Sequence, residues 1–412
     1  MNILHITNYF PPEVGAGPHL PFEMGEWLVK AGHKVTIVTN FPRYNLPVMP
    51  DKYAGRLLFK EEMGGMRVLR VNSPNFYGTR RISRGLVQLL TPPLLGLCAL
   101  GVSKPDVVVT DTPPLLLGIA ARAVALRFGV PYVTCLMDLF PQAIVDVGLL
   151  QNPYLISLFE AMERYVYRTS GALVILGENY RDNVVAKGAN PDNIFIVPTW
   201  ADTEMLRPME RMNTFRRENG LGDKFIVLFA GTMGWFQGLD IIIEAARGLV
   251  AESDLLFLLV GDGVERAKLE GMSSGLPNVR FLPMQPREVY PQVLAACDIG
   301  VVTLHPEVSA PTTPSKIMSI MAAGRTVLAS LPEQAGKGAR RLLELAECGL
   351  ILPAGDTRAF ISAILQLKRD RPSMRQMEIN GRAYAEKHLS RAASIGKFEQ
   401  VLEKVTRRTS HA

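Results

Sequence analysis

Short apolar runs rich in β-branched residues alternate with helical spacings along nearly the whole chain, the pattern of parallel sheets covered by helices on both faces. Strands are predicted at Asn2 to Thr7, Lys34 to Thr39, Arg67 to Val71, Asp106 to Thr110, Tyr132 to Leu136, Ala172 to Leu176 and Ile194 to Val197. A second series runs through Lys224 to Ala230, Leu255 to Val260, Val279 to Leu282, Ile299 to Thr303, Thr326 to Ala329 and Leu350 to Leu352. Each series opens with a strand, a glycine-bearing loop and a helix. The first loop holds Gly15, Ala16 and Gly17, and the second runs from Gly231 to Gly238. The polar stretch Ala201 to Asp223 reads as a linker. The fold class is therefore α/β, two doubly wound Rossmann-like domains expected at 1–205 and 206–383, with 384–412 after them. Ligands of such sheets bind outside the carboxyl ends of the strands, so both glycine loops are expected to face a cleft.

One segment adds chemistry. In Pro311-Thr-Thr-Pro-Ser-Lys316, Thr313 suits an N-cap, Pro314 a first helical position, and Gly324 a left-handed stop before the strand at Thr326. The unpaired N–H groups of such a helix start, with the charge of Lys316 in its first turn, would hold a phosphate or diphosphate. An ordinary capped helix with a solvated lysine has the same spelling.

Length and composition narrow the classes. A chain of 412 residues is expected to form about two domains, and 48% hydrophobic with 20% charged residues is a globular balance. Cys98, Cys135, Cys297 and Cys348 lie far apart, which suggests neither a zinc site nor a disulfide framework and fits a reducing compartment. The first ten residues have no basic lead and no cleavage-site spelling, and a cytoplasmic protein is expected. A net charge of +6 without interleaved aromatics does not predict a nucleic-acid partner. Between Glu62 and Asp106, however, there is no acidic residue, while Arg67, Arg70, Arg80, Arg81, Arg84 and Lys104 fall inside the gap. Within it Gly85 to Val102, including Leu89 and Leu90, is uncharged and near the lower limit of about 18 residues for a span. Pro92-Pro93 interrupts its middle, and the strand after it must stay on the same side. It is expected to lie in a membrane interface with Arg80, Arg81 and Arg84 on anionic headgroups, or else to be a buried helix with a basic lead-in.

Neither glycine loop matches G-x-G-x-x-G, and Val260-Gly-Asp-Gly263 lacks the third glycine, so a nicotinamide enzyme is not supported. The chain instead resembles the GT-B glycosyltransferases, and within them the retaining family-four enzymes. The likeness rests on Asn8-Tyr-Phe-Pro-Pro-Glu-Val-Gly-Ala-Gly17, Met137-Asp-Leu-Phe-Pro141, Val260-Gly-Asp-Gly263, Pro314-Ser-Lys316, Met321-Ala-Ala-Gly-Arg325 and Glu347 to Asp356. The Pro-Ser-Lys and Ala-Ala-Gly-Arg wording is similar to a bacterial branch that builds surface polysaccharides such as O-antigen, including transferases of N-acetyl-L-fucosamine from UDP donors. Tyr384 to Val405 resembles the terminal helix that crosses back to the first domain.

The resemblance implies a nucleotide sugar in the second domain, a polyprenyl-diphosphate-linked saccharide acceptor, no cofactor, and a location on the inner face of the plasma membrane. It implies donor contacts from Gly231, Thr232, Gly234, Gln237, Gly261, Glu265, Ser315, Lys316 and Ser319, with Gly15, Ala16 and Gly17 near the diphosphate. Two family glutamates are replaced by Pro311 and Ser319, and Gln237 stands where a lysine is usual. Lys316 with Ser315, and Arg325 beyond the helix end, are the candidates to take over the leaving diphosphate. No Asp-x-Asp pair occurs, so metal dependence is not predicted.

With the glutamates absent, transfer on the leaving-group face is expected, Lys316 stabilising the charge that builds on the diphosphate. Asp138 and Glu13 are candidate partners of the acceptor hydroxyl, Asp138 alternatively a helix cap. Glu265 either reaches ribose hydroxyls or favours a helix start, and Trp235 and Phe236 either cover a nucleobase or pack their loop. His5, His33 and His305 read as structural, and His19 lies beside the first loop. The rival readings are a UDP-sugar 2-epimerase, which needs no acceptor, and a noncatalytic nucleotide-sugar-binding partner.

Overall fold

Continuous apolar runs become strands buried on both faces, as Phe225–Ala230 and Leu255–Val260 show most plainly. The computed structural model describes residues 1–13, 16–42, 49–73, 81–146, 148 and 150–410. Along the chain the elements are β1 (Asn2–Ile6), α1 (Ala16–Lys30), β2 (Lys34–Asn40), β3 (Leu58–Met63), β4 (Met66–Val71), α2 (Arg81–Ala99), β5 (Val107–Thr112), α3 (Leu115–Phe128), β6 (Tyr132–Leu136), α4 (Gln142–Asp146), α5 (Pro153–Thr169), β7 (Ala172–Ile175), α6 (Arg181–Ala186) and β8 (Ile194–Ile196). There follow α7 (Thr214–Glu218), β9 (Phe225–Ala230), α8 (Asp240–Gly248), β10 (Leu255–Val260), α9 (Arg266–Met272), β11 (Val279–Leu282), α10 (Tyr290–Ala295), β12 (Ile299–Thr303), α11 (Lys316–Ala322), β13 (Thr326–Leu331), α12 (Lys337–Ala346), β14 (Gly349–Pro353), α13 (Thr357–Arg369), α14 (Arg371–His388) and α15 (Arg391–Ser410). They form two units, the first made of Met1–Gln142, Leu150–Val197 and Ile395–Ala412, the second of Ala143–Leu149 and Pro198–Ser394.

The first unit holds an eight-stranded sheet in the order β3-β4-β2-β1-β5-β6-β7-β8. Its strands pair in parallel except β3 with β4, an antiparallel hairpin turned by Gly64 and Gly65 at φ 58° and 77°. Arg70 on β4 is fully buried. Its Nε donates to Glu61, one Nη to the Pro11 carbonyl and the other to the Asn40 carbonyl at 3.2 Å. Arg70 is thus a core cation under the first loop and leaves the set counted as a basic surface.

Helix α2 continues through Pro92 and Pro93, against the expectation of a break. Proline removes an intrahelical bond to the carbonyl four residues back, and for Pro93 that carbonyl belongs to the exposed Leu89, where water can satisfy it. Packing supplies the rest: Thr91, Leu95 and Ala99 are buried, and Gly96 lies so close to α3 that an added Cβ would stand 3.1 Å from that of Ala120. Within the same unit, α15 buries Ile395, Phe398, Leu402 and Val405. His33 ties both chain ends together there, one ring nitrogen 2.8 Å from Glu399 and the other 3.1 Å from the Met1 amino group.

The second unit is a six-stranded, wholly parallel sheet in the order β11-β10-β9-β12-β13-β14. The stretch 201–223 is not a loose linker. It buries Leu206, Phe215 and Leu221, and Asn213 caps α7 by accepting from the Arg216 N–H at 3.1 Å. Arg216 is buried too, donating to the Ala296 and Gly222 carbonyls at 2.8 and 2.9 Å. A guanidinium that feeds backbone carbonyls reads as polar in a sequence and is core in the fold.

Candidate functional site

The second sheet reverses its strand order between β9 and β12, so the loops after these strands diverge and leave a crevice at their carboxyl ends. The loop after β9 is shaped by glycine. Gly231 and Gly261 sit at φ 138° and 151°, and a Cβ on Gly261 would fall 1.9 Å from the Gly231 carbonyl oxygen. Only glycine permits that approach. Several of the loop's N–H groups are spent within the unit: Gly231 donates to the Val260 carbonyl at 2.8 Å, Met233 to that of Asp262 at 2.8 Å, and Gly234 to the Gln237 side chain at 3.0 Å. Gln237 therefore braces the loop, and its carbonyl accepts from Thr303 Oγ1 on β12 at 2.5 Å. The imidazole of His305 stacks on Trp235 at 4.1 Å, and Phe236 packs on the core, so both aromatics take part in packing their loop. Thr232 is exposed at the rim.

Lys316 enters this crevice from the next loop. The helix it begins starts two residues later than the spelling suggests: Ser315 precedes it with no side-chain cap, and it has only seven residues. Thr313 and Pro314 lie outside it. Gly324 does stop it, at φ 63°, its N–H donating to Met321 at 3.0 Å and that of Arg325 to Ile320 at 3.1 Å, a Schellman closure. What the segment contributes is the lysine side chain. Its end lies against Gly231, where an added Cβ would meet Cε at 2.4 Å and Nζ at 3.1 Å, and Nζ stands 5.2 Å from the Phe229 ring centroid. Among the described residues the ammonium has no hydrogen-bond or ion-pair partner. Lys316 is half-buried, and loss of hydration pulls its pKa below that of a free lysine.

Other expected donor residues are occupied elsewhere. Ser319 bonds to the half-buried Tyr290, whose hydroxyl is pushed up to about 12 by loss of hydration. Glu265 pairs with Lys268 at 3.2 Å, and Lys268 with Asp240 at 2.8 Å. Arg325 is buried and donates to the Ala295 and Met209 carbonyls at 2.7 and 2.6 Å, so it is a strut of the unit and not a phosphate ligand. Arg266 escaped the sequence reading; its Nη1 donates to the Gly261 carbonyl at 2.6 Å while Nε holds Glu270 at 2.8 Å. Its place, three residues beyond Gly263 at the opening of α9, was the available signal.

In the first unit Asp138 follows β6. Asp138 is exposed, and its carboxylate has no hydrogen-bond partner among the described residues and so caps no helix. Crowding by the surrounding protein raises it to about 6. Glu13 is buried and accepts from the Phe10 N–H at 3.2 Å, holding its own turn. Helix α1 begins at Ala16, which puts Gly17 in its first turn, where a Cβ would meet nothing within 4 Å. Gly15 and Arg80 lie outside the described residues, as do the side chains of Ala16, Arg81 and Arg84. Leu89 and Leu90 are exposed, at 46% and 44%. His5 bonds to Asp111 at 2.9 Å, a structural pairing. Among the described residues no cluster of His, Cys, Asp or Glu could hold a metal ion, and no helix is long and apolar enough to cross a membrane.

Two family profiles match the chain: a glycosyl transferase 4-like domain over residues 15–200, and glycosyl transferases group 1 over residues 224–370. The chain belongs with these group 1, 4-like glycosyltransferases. Its two Rossmann-like units are those of the GT-B fold. An Escherichia coli (strain K12) protein named for colanic acid biosynthesis glycosyl transfer, WcaI, is 28% identical over 332 residues, 78% of this chain and 81% of that protein. The GDP-mannose-dependent alpha-mannosyltransferase of Mycobacterium tuberculosis is 26% identical over 354 residues, 85% of this chain and 83% of that one. Among solved structures, Anabaena Alr3699/HepE in complex with UDP superposes with a TM-score of 0.72 at 16% identity, covering 98% of this chain and 100% of the other.

Proposed function

We propose that this glycosyltransferase of polysaccharide biosynthesis moves a sugar from a UDP donor, with retention and without a metal, to a polyprenyl-diphosphate-linked saccharide at the inner face of the plasma membrane. The observation that carries the donor half is the unpaired Lys316 ammonium at the β9/β12 reversal, pressed on a glycine wall that admits a ligand closely. A lysine held short of hydration and without a carboxylate is complementary to a leaving diphosphate, whose charge grows as the glycosidic bond breaks. The departing phosphate oxygen then takes the acceptor proton, and Asp138 orients the acceptor hydroxyl. UDP is favoured over GDP by the UDP complex of the structurally similar Anabaena protein, and the GDP-mannose-dependent relative names the competitor. N-acetyl-L-fucosamine, or another amino-deoxy sugar, is the transferred group that the sequence likeness suggests. Membrane contact rests on the exposed leucines of α2 behind the arginines at its start.

Calorimetric titration with UDP, GDP and dTDP tests the donor, and incubation of UDP-sugars with a polyprenyl-diphosphate saccharide tests transfer. UDP binding with acceptor-dependent glycosylation is expected. Binding of GDP alone would overturn the donor assignment, and sugar isomerised on donor alone would overturn the transferase.

A further inference from the structure

Helix α5 is built the wrong way round for a helix that only covers a sheet. Its inner side buries Glu163, Val166 and Tyr167, while Tyr154, Leu158, Ala161 and Tyr165 form an exposed stripe at the spacing i, i+4, i+7 and i+11. Tyr154 is 84% exposed and Leu158 54%, with Leu155 beside them and Arg168 next along the stripe. An outward apolar face of this kind marks a contact surface.

The stripe has neighbours. Helices α2, α3 and α5 pack side by side, α2 on α3 and α3 on α5. Leu89, Leu90, Leu97 and Leu100 follow the outer line of α2 and its end, and Leu126 stands out from α3 at 61% exposure. The charges of the same layer are mostly cationic: exposed Lys104 after α2, Arg127 on α3 and Arg168 on α5, with half-buried Arg164, against Asp106, whose carboxylate accepts from the Asn2 N–H at 2.7 Å, and half-buried Glu160, already paired with Arg164 at 3.6 Å. Apolar residues spread over three adjacent helices with a cationic margin do not fit one partner helix, which would cover a single seam. They fit a broad, apolar, anionic surface.

We propose that α5 is a second membrane-docking helix, so that the α2–α3–α5 layer of the first unit lies on an anionic leaflet with Tyr154 and Tyr165 at the depth of the headgroups. This extends the membrane contact proposed for α2 and rests on that reading. Tyrosine suits such a position because its ring is apolar and its hydroxyl stays wet, and cations beside it gain from anionic lipid.

The test is flotation of the full chain with vesicles of phosphatidylethanolamine and phosphatidylglycerol, and with pure phosphatidylcholine. Wild type is compared with Tyr154→Glu/Leu158→Glu, with the milder Tyr154→Ser/Leu158→Ser, and with Leu89→Glu/Leu97→Glu. Circular dichroism and calorimetry with UDP check that both units remain folded. The expected result is a loss of partitioning of about tenfold in the α5 glutamate variant, a smaller loss in the serine variant, and weaker binding to phosphatidylcholine. If the α2 variant detaches while both α5 variants bind as wild type, α5 is not a contact and the membrane reading of α2 stands. Should wild type itself fail to bind vesicles, both readings fall. Loss of a dimer in sedimentation of the α5 variant, with vesicle binding unchanged, would assign the stripe to a second copy of the chain and overturn the proposal.

Discussion

Replacing Lys316 with methionine is expected to push binding and stability in opposite directions. Methionine keeps the length of the side chain and its packing on Phe229 and Gly231, and removes only the charge. A hydrogen bond to a charged partner is worth about 1.5–3 kcal/mol, so UDP affinity should fall about 10- to 150-fold. In the unliganded chain the ammonium is desolvated without a counter-ion, a cost that methionine does not carry. Against this stands the contact with the Phe229 ring, 5.2 Å away, worth about 0.5–1 kcal/mol and replaced in part by a sulfur–aromatic contact. The net gain should be on the order of 1 kcal/mol, about 2–4 °C in Tm for a unit of this size. Its pH dependence has a definite sign. A lysine whose pKa is lower when folded than unfolded makes the unfolded chain bind more protons, so wild-type stability rises with pH as the window up to about 10.5 is approached. The gap between variant and wild type should therefore be widest near neutrality and close in alkali. Calorimetry with UDP and thermal melts from pH 7 to 10.5 read both effects. A variant that binds UDP within about threefold of wild type, or one that melts lower than wild type at pH 7, would refute this account of Lys316.

Gly261→Ala should cost about 3 kcal/mol or more, because its Cβ collides with the Gly231 carbonyl at a φ of 151°; a melt of the second unit decides it. Glu61→Gln leaves the buried Arg70 without its counter-charge and should destabilise the first unit by about 3–5 kcal/mol in denaturant titration. Asp138 must be ionised to orient the acceptor hydroxyl, so wild-type kcat/KM for acceptor should rise with pH through about 6. Asp138→Asn should be slow at every pH and lack that limb, and a preserved limb would move the role to another group.

What the sequence made legible follows burial. Strands such as β9 and β10 are apolar on both faces and announce themselves, and Gly324 marks its turn because no other residue closes a helix so readily there. β3 went unseen because an edge strand with alternating exposure is spelled Leu-Phe-Lys-Glu-Glu-Met, with no apolar period to read. The start of α11 was misplaced because threonine and proline fit a cap they do not form. Partners explain the remaining misses. Gln237, Ser319 and Glu13 have the chemistry of ligand-binding residues, and whether such a group faces a ligand or its own loop depends on neighbours far along the chain. Lys316 stands out in the sequence for its charge, yet its distinction in the fold is the lack of a counter-charge among the described residues, which no linear spacing displays.

The clasp at His33 carries a consequence for how the protein is made. Synthesis proceeds from the amino end, so the ribosome delivers most of the first unit early and α15 only after the second unit. Ile395, Phe398, Leu402 and Val405 are part of that unit's core, and Glu399 meets the histidine that also holds the first residue. The unit begun first is therefore sealed last, after the whole second unit has emerged. Until then an apolar trough stays open on the nascent chain, in the territory of holdase chaperones, and a chain cut before Arg391 would leave it permanently unsealed.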